Sequence, residues 1–202
     1  MVDISQYISI TKDVIVAVAA IVTTCLAIYG VKSWRRELAG KTQFEIARNL
    51  LKATYKLRDS IADVRSPLIL VVEFPEGYDV SSEKSSAEQK SQAYSHVYCN
   101  RLKPLWVAID EFDTAALEAE AIWEKAIKRM AEDLRTCINI LHDSIRFYID
   151  SIYSDSINQK KEFDRNIRKD ISASRNSDDE LSKKIRNSIK ALEEELKPHL
   201  KR

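Results

Sequence analysis

The sequence is poor in the residues that break or reverse a chain. Its 202 residues include three glycines and four prolines. Few tight turns are therefore available, which argues against a fold of many short strands. With glycines only at positions 30, 40 and 77, a Gly-rich phosphate-binding loop is excluded as well. The composition predicts an all-α protein made of a few long helices.

Cysteines and net charge exclude two further classes. Three cysteines do not make a disulfide framework, and we expect Cys99 and Cys137 to be reduced core residues. Because 32 Lys and Arg nearly cancel 31 Asp and Glu, the chain has no global basic field for nucleic acid. We therefore expect no nucleic-acid partner.

Catalytic and metal-binding motifs are also missing. The sequence has no nucleophile elbow, no Glu-x-x-His pair and no His-Glu-x-x-His motif. His96, Cys99, Cys137 and His142 would together offer zinc ligands, but a helix turns His142 about 140° away from Cys137. We expect no catalytic residue, no metal site and no cofactor, hence a protein that is not an enzyme. An atypical active site assembled across helices stays open.

What the sequence does contain is an uncharged apolar run from Val14 to Val31. A helix of this length covers about 27 Å, close to the hydrocarbon thickness of a bilayer. Bulky Tyr29 and Trp34 stand where a cleaved leader needs small residues, and basic residues follow as a stop-transfer signal. The sequence predicts a retained transmembrane helix over residues 14–34 rather than a signal peptide.

The charges beside this run predict its orientation. One basic residue precedes it and four follow within ten residues, so the basic side should remain in the cytoplasm. Residues 1–13 would then be extracytoplasmic and residues 42–202 cytoplasmic, in a single-pass protein of a bacterial inner membrane. The predicted membrane-interface residues are Trp34, Arg35 and Arg36, together with Lys52 and Lys56 on the next helix. For Lys52 and Lys56, the alternative is an ordinary solvated helix face.

Small residues form a stripe on the predicted span. Ala19, Thr23 and Ala27 are spaced by four, which would let two helix backbones approach closely. The stripe predicts lateral self-association. The alternative is that small residues are simply tolerated in lipid.

Beyond residue 42, apolar residues recur every three or four positions, which predicts an antiparallel helical bundle. We expect a loop near residues 75–86 and a linker near residues 156–177. We expect proline to kink the helix or restart it at Pro104. A single helix continuing beyond that point would be longer than the helices that pack against it, so we also expect a turn near Asp113-Thr114. Capping boxes are predicted from Ser85 to Glu88 and from Ser177 to Glu180, and Pro198 should end the last helix.

Three features of the bundle allow more than one interpretation. An acidic stretch between Pro104 and Lys125 could dock on the basic row Arg48, Lys52 and Lys56, within one chain or between subunits, or simply be solvated. The run 68–74 predicts a short helix or an apolar loop that plugs the end of the bundle. Trp106 and Trp123 are expected in the core.

Four segments carry a family resemblance: Trp-Arg-Arg-Glu-Leu at 34–38, Phe-Glu-Ile-Ala-Arg-Asn-Leu-Leu at 44–51, Ala-Leu-Glu-Ala-Glu-Ala-Ile-Trp at 116–123 and Leu-Lys-Pro-His-Leu-Lys at 196–201. Their arrangement resembles that of uncharacterised bacterial single-pass membrane proteins with a helical cytoplasmic domain. The resemblance implies no activity and lends no catalytic residue.

The sequence therefore favours a membrane-anchored helical interaction or scaffold module at the cytoplasmic face. Its expected partners are the lipid bilayer and either further copies of itself or another protein. The alternative is an oligomeric membrane effector whose spans perturb or open the bilayer, with Thr23 and Thr24 as polar lining.

Overall fold

The structure is a computed structural model that describes residues 4–80, 85–153, 167–173 and 178–200, with side chains from Lys12 onward. Throughout these residues the secondary structure is helical and no β-strand occurs, which confirms the predicted all-α class. The helices are α1 (Ile4–Val64), a 3₁₀-helix (Val71–Glu73), α2 (Ala87–Trp123), α3 (Lys125–Tyr153) and α4 (Glu180–Leu200), with a further helical turn at 167–171.

The chain divides into two compact units, Met1–Glu45 and Ile46–Arg202. The first unit is helical from Ile4 onward and holds the apolar run, whose side chains are exposed. One helix of the described chain is thus long and apolar enough to cross a membrane, by length and composition alone. A signal sequence near the N-terminus would meet the same criterion.

The second unit has a continuous hydrophobic core. Each helix contributes the apolar residues that recur every three or four positions, because this spacing places them on one face. The largest fully buried core side chains are Leu50, Leu57, Val64, Leu105, Phe112, Ile127, Leu134, Leu141, Leu192 and Leu196.

Contacts between side chains give the direction of neighbouring helices in this unit. α1 and α2 run antiparallel, since Lys56 meets Glu111 while Arg101 reaches the carbonyl of Val64. α2 and α3 do the same, since Asp113 accepts from Arg135 while Ser91 donates to the Ile149 carbonyl. Because α2 and α3 are consecutive, the chain reverses between them within a single residue.

That reversal lies at Glu124, so a restart of the helix at Pro104 and a turn near Asp113-Thr114 are both wrong. Glu124 has φ 42° and ψ −119°, a positive-φ conformation that a non-glycine residue rarely adopts. Pro104 is exposed and remains inside α2, which continues to Trp123. The buried alanines Ala115, Ala116 and Ala119 lie just after the predicted turn, and alanine is the strongest helix former.

The helix ends also differ from prediction. The predicted span and the helix that was expected to follow it are one continuous helix, α1, and the other ends are displaced by a few residues. Ser86, not Ser85, caps α2, because its hydroxyl accepts from the Gln89 amide. α4 extends past Pro198 to Leu200, where one lost hydrogen bond affects only the last turn. Ser177 lies outside the described residues, and the Asp179 carboxylate accepts from the Ser182 amide at the start of α4. Within the predicted linker, residues 167–171 form the helical turn.

Candidate functional site

The predicted self-association stripe lies on an exposed face of the apolar run. Thr23 Oγ1 donates to the Ala19 carbonyl at 2.8 Å, and Thr24 Oγ1 donates to the Ala20 carbonyl at the same distance. Both hydroxyl hydrogens are therefore used inside the helix. The face over Ala19, Thr23 and Ala27 presents small side chains without an outward donor from either threonine, a surface suited to close helix packing.

The basic end of the run is exposed as well. Trp34, Arg35 and Arg36 are solvent-accessible in the first unit. Lys41 pairs with Glu37 one helical turn earlier, Nζ to Oε1 at 2.9 Å. A cluster of three basic side chains and one indole is the composition found at the headgroup level of a bilayer.

Lys56, a predicted lipid contact, meets the acidic stretch inside the second unit. Its Nζ lies 2.6 Å from Glu111 Oε2 across α1 and α2. This ion pair lines a cleft of about 440 Å³. Lys52, Asp110 and Glu118 line the same cleft. One contact between the basic row and the acidic stretch is therefore made within a single chain.

A buried arginine forms a cluster that the sequence analysis missed. Arg65 lies directly after the last residue of α1 with 4% of its surface exposed. Its guanidinium donates to the backbone carbonyls of Lys169 and Asp170, to Ser182 Oγ at 2.8 Å and to Asp179 Oδ1 at 2.9 Å. Since its own carbonyl also accepts from the Ala173 amide, Arg65 joins α1 to the segment 167–173 and to α4.

The same cluster contains a second carboxylate. Asp170 accepts from Ser144 Oγ of α3 at 3.1 Å, and burial raises the pKa of Asp170 above its ordinary value. The guanidinium is a permanent cation with no basic lone pair to accept a proton. The arrangement can therefore hold the surrounding helices together.

A second arginine organises the segment after α1. Arg101 of α2 contacts both carboxylate oxygens of Glu73, at 2.6 and 2.9 Å, and donates to the carbonyls of Ser66 and Leu68. This hydrogen bonding holds the pKa of Glu73 below its ordinary value. The segment is therefore fixed by a charge-assisted fork in addition to the burial of Phe74.

Of the two forms predicted for this segment, the structure has the short helix, as the 3₁₀-helix Val71–Glu73, and an apolar loop that plugs the end of the bundle is wrong. Most of the aliphatic side chains point outward, with Val72 84% exposed, and Ile69 is partly buried. Only Phe74 is buried, against Ala93 and Val97 in a small second cluster. The exposed residues are Leu68, Leu70, Val71 and Val72.

The histidines and cysteines lie in separate environments. His96 contacts Asn100, and His142 lies against Trp106. Cys137 is buried as predicted, whereas Cys99 is exposed, so its prediction as a core residue is wrong. Burial raises the pKa of the Cys137 thiol, which disfavours the thiolate that metal binding needs. Over the described part of the chain, no three His, Cys, Asp or Glu side chains are grouped to hold a metal ion.

The two tryptophans of the bundle differ from their predicted core positions. Trp106 is 46% exposed, so its prediction as a core residue is wrong. Trp123 is half-buried, and its ring lies 4.5 Å from that of His199 on α4. Both rings contact a histidine on a neighbouring helix instead of lying at the centre of the core.

No protein-family model matches the chain, and neither a curated protein nor a solved structure is significantly similar to it.

Proposed function

We propose that this protein is a membrane-anchored helical interaction module that associates with copies of itself. The observation that carries the proposal is the uncharged run Val14–Val31, whose side chains are exposed on all faces of a helix. An apolar surface of this size is unfavourable in water, and lipid or an apposed helix covers it. The run is the anchor and contains the stripe proposed for self-association, and residues 46–202 form the helical part that the run anchors.

The proposed orientation places the N-terminus outside and residues 42–202 in the cytoplasm of a bacterial inner membrane. The excess of basic residues after the run supports this orientation. Trp34, Arg35 and Arg36 would lie at the inner headgroup level. The contact between Lys56 and Glu111 makes Lys56 a weaker candidate for lipid binding than Arg35 or Arg36.

Native cysteines give a direct test of anchoring and orientation. In a C25A variant, Cys99 is the exposed thiol of the described residues and Cys137 is buried. We expect carbonate-resistant membrane association, with Cys99 labelled by an impermeant maleimide only after the cells are opened. A C25A/C99A variant is the background control. Labelling of Cys99 in intact cells would reverse the orientation, and carbonate extraction of the protein would exclude the anchor.

Self-association is tested by enlarging the small stripe. The A19L/T23L variant should dissociate in mild detergent, as measured by mass, because two leucines separate the helix backbones. The A17L/T24L variant makes the same chemical change about 100–160° around the helix from Ala19 and Thr23, and it should keep the oligomer. Equal masses for the wild type and both variants would show that the stripe does not mediate self-association.

The alternative function is an oligomeric effector whose spans open the bilayer. It requires polar groups facing a pore, and both threonine hydroxyls already donate to their own helix. The scaffold function therefore has the better support. Dye entry on overexpression of the wild type, absent in A19L/T23L, would instead favour the effector.

A further inference from the structure

A cleft of about 550 Å³ lies between the C-terminal part of α1 and α4. Its walls contain three isoleucines, Ile61, Ile185 and Ile189, which belong to the hydrophobic core. Basic side chains from both helices line it as well. The cleft therefore combines apolar surface with positive charge, and it belongs entirely to the second unit.

The register of the two helices places basic residues opposite one another. Arg65 meets Ser182 at one end of the cleft, and the Tyr55 hydroxyl lies beside Glu193 at the other, so α1 and α4 run antiparallel. By this register Arg58 lies at the level of Lys190. Arg186 lies one helical turn from Lys190, about 5 Å closer to Arg65. Like charges at one level repel, and an anion between them removes that repulsion.

The carboxylates that pair with these cations lie outside the cleft lining. Arg58 contacts Asp59 at 3.0 Å and lies 4.8 Å from the centre of the Tyr55 ring, while Arg186 contacts Asp178 at 3.6 Å and Lys190 contacts Glu194 at 3.7 Å. Such exposed pairs contribute little, so a multivalent anion can compete with them.

Two further groups at the cleft are engaged within the protein. Of the described lining residues, Glu193 alone is a carboxylate, and it lies beside the Tyr55 hydroxyl. Arg65 already donates to Asp179 and Ser182, and these hydrogen bonds hold its side chain in place at the wall of the cleft. Arg58, Arg186 and Lys190 are consequently the side chains placed to contact a ligand.

We propose that this cleft binds the phosphate group of a small molecule whose remaining body is apolar. Two guanidinium groups and one ammonium group suit a phosphate, because arginine donates paired N–H groups to its oxygens. The isoleucine walls, with Ala62 beside them, receive the apolar body. The site does not depend on membrane anchoring, so each proposal stands or fails by its own test.

The test uses the full chain in phosphatidylcholine nanodiscs and phenyl phosphate as the probe. Calorimetry should give saturable binding by the wild type. In R186Q/K190Q the affinity should fall by about tenfold or more, since two charge-assisted contacts are lost. The matched control K128Q/R129Q removes the same charges from exposed positions on α3 and should bind like the wild type.

A second variant tests the apolar half of the site without changing charge. A62F fills the cleft from α1 and should also weaken binding of phenyl phosphate. Inorganic phosphate, which lacks the ring, should bind more weakly than phenyl phosphate to the wild type. Circular dichroism of each variant verifies that the helices are intact.

The proposal is overturned if the wild type shows no saturable binding of phenyl phosphate. It is equally overturned if R186Q/K190Q and K128Q/R129Q bind with the same affinity. Nanodiscs that also contain phosphatidic acid identify the source of the phosphate. Displacement of phenyl phosphate by this lipid assigns a lipid headgroup, whereas retained binding assigns a soluble phosphate ester.

Discussion

The two parts of α1 contain similar aliphatic residues with opposite burial. In the apolar run Ile21 is 63% exposed, whereas Leu57 in the second unit is fully buried. The difference lies in periodicity, because residues of the run are apolar on every face while residues 46–64 are apolar on one stripe. A helix of the second kind is covered by its own chain, and one of the first kind needs lipid or another protein.

The largest expected effect comes from placing charge in the apolar run. V18D/V22D should abolish membrane retention, because each aspartate at the centre of a span costs about 2.5–3.5 kcal/mol. V71D/V72D makes the same change at two exposed valines of the second unit and should leave retention intact. Carbonate extraction followed by immunoblotting measures the retained fraction. Retention of V18D/V22D would mean that the run is not an anchor.

The second largest effect is the loss of stability when a buried charge is removed at the C-terminal end of α1, compared with the removal of an exposed charge there. R65M should lower the free energy of unfolding by about 3–5 kcal/mol, because it leaves Asp179 buried without its cation. R58M, which removes an exposed pair with Asp59, should cost less than about 1 kcal/mol. Urea unfolding in detergent, followed by circular dichroism, gives both values. Similar losses for the two variants would contradict the special role of Arg65.

A leucine pair tests the comparison within α1 itself. L57A should destabilise the second unit by about 2–5 kcal/mol through the cavity it leaves. L26A removes the same atoms from the exposed run and should leave this unfolding transition within about 0.5 kcal/mol of wild type. The same urea experiment compares them. A large loss from L26A would show that the run supports the fold of the second unit.

The smallest effect depends on pH. Since the folded pKa of Glu73 is lowered, its stabilisation is present above the ordinary glutamate pKa and is lost as pH falls through the folded pKa. The E73Q variant should therefore be less stable than wild type near neutral pH, by about 1.5–3 kcal/mol. The difference should shrink on acidification. Asp170 acts in the opposite direction, because its raised pKa makes stability fall as pH rises between its ordinary and its folded pKa.

If E73Q lowers the free energy of unfolding by the same amount from acid to neutral pH, the contact between Glu73 and Arg101 has no ionic contribution to stability. A D170N variant separates the two carboxylates. It should remove the component of stability that falls with rising pH and leave the contribution of Glu73 unchanged. Urea midpoints measured at several pH values provide the comparison.

Helix periodicity predicted most of the fold. The repeat of apolar residues predicted the buried faces that contain Leu57, Leu134 and Leu192, because a helix brings residues three or four apart to the same side. The break between α2 and α3 was not predictable in the same way. Glu124 is an ordinary helix residue by composition, and its positive-φ backbone conformation depends on how the flanking helices pack.

The buried arginine could have been anticipated in part. Arg65 follows Ile61 by four residues and so continues the buried stripe of α1. Its partners Lys169, Asp170, Asp179 and Ser182 lie 104 to 117 positions away along the chain, and no local pattern connects them. The cleft beside Arg65 is equally non-local, since it requires the antiparallel register of α1 and α4.

By itself, the sequence determined the helical class, the apolar run and the face that each bundle helix buries. These properties follow from residue type and spacing, which act within a few turns of one helix. Only the tertiary structure decided which charges are buried, where α2 ends, and that Leu68, Leu70, Val71 and Val72 face outward. Those outcomes depend on partners distant in sequence, because the free energy of burying a charge or exposing an apolar side chain depends on what packs against it.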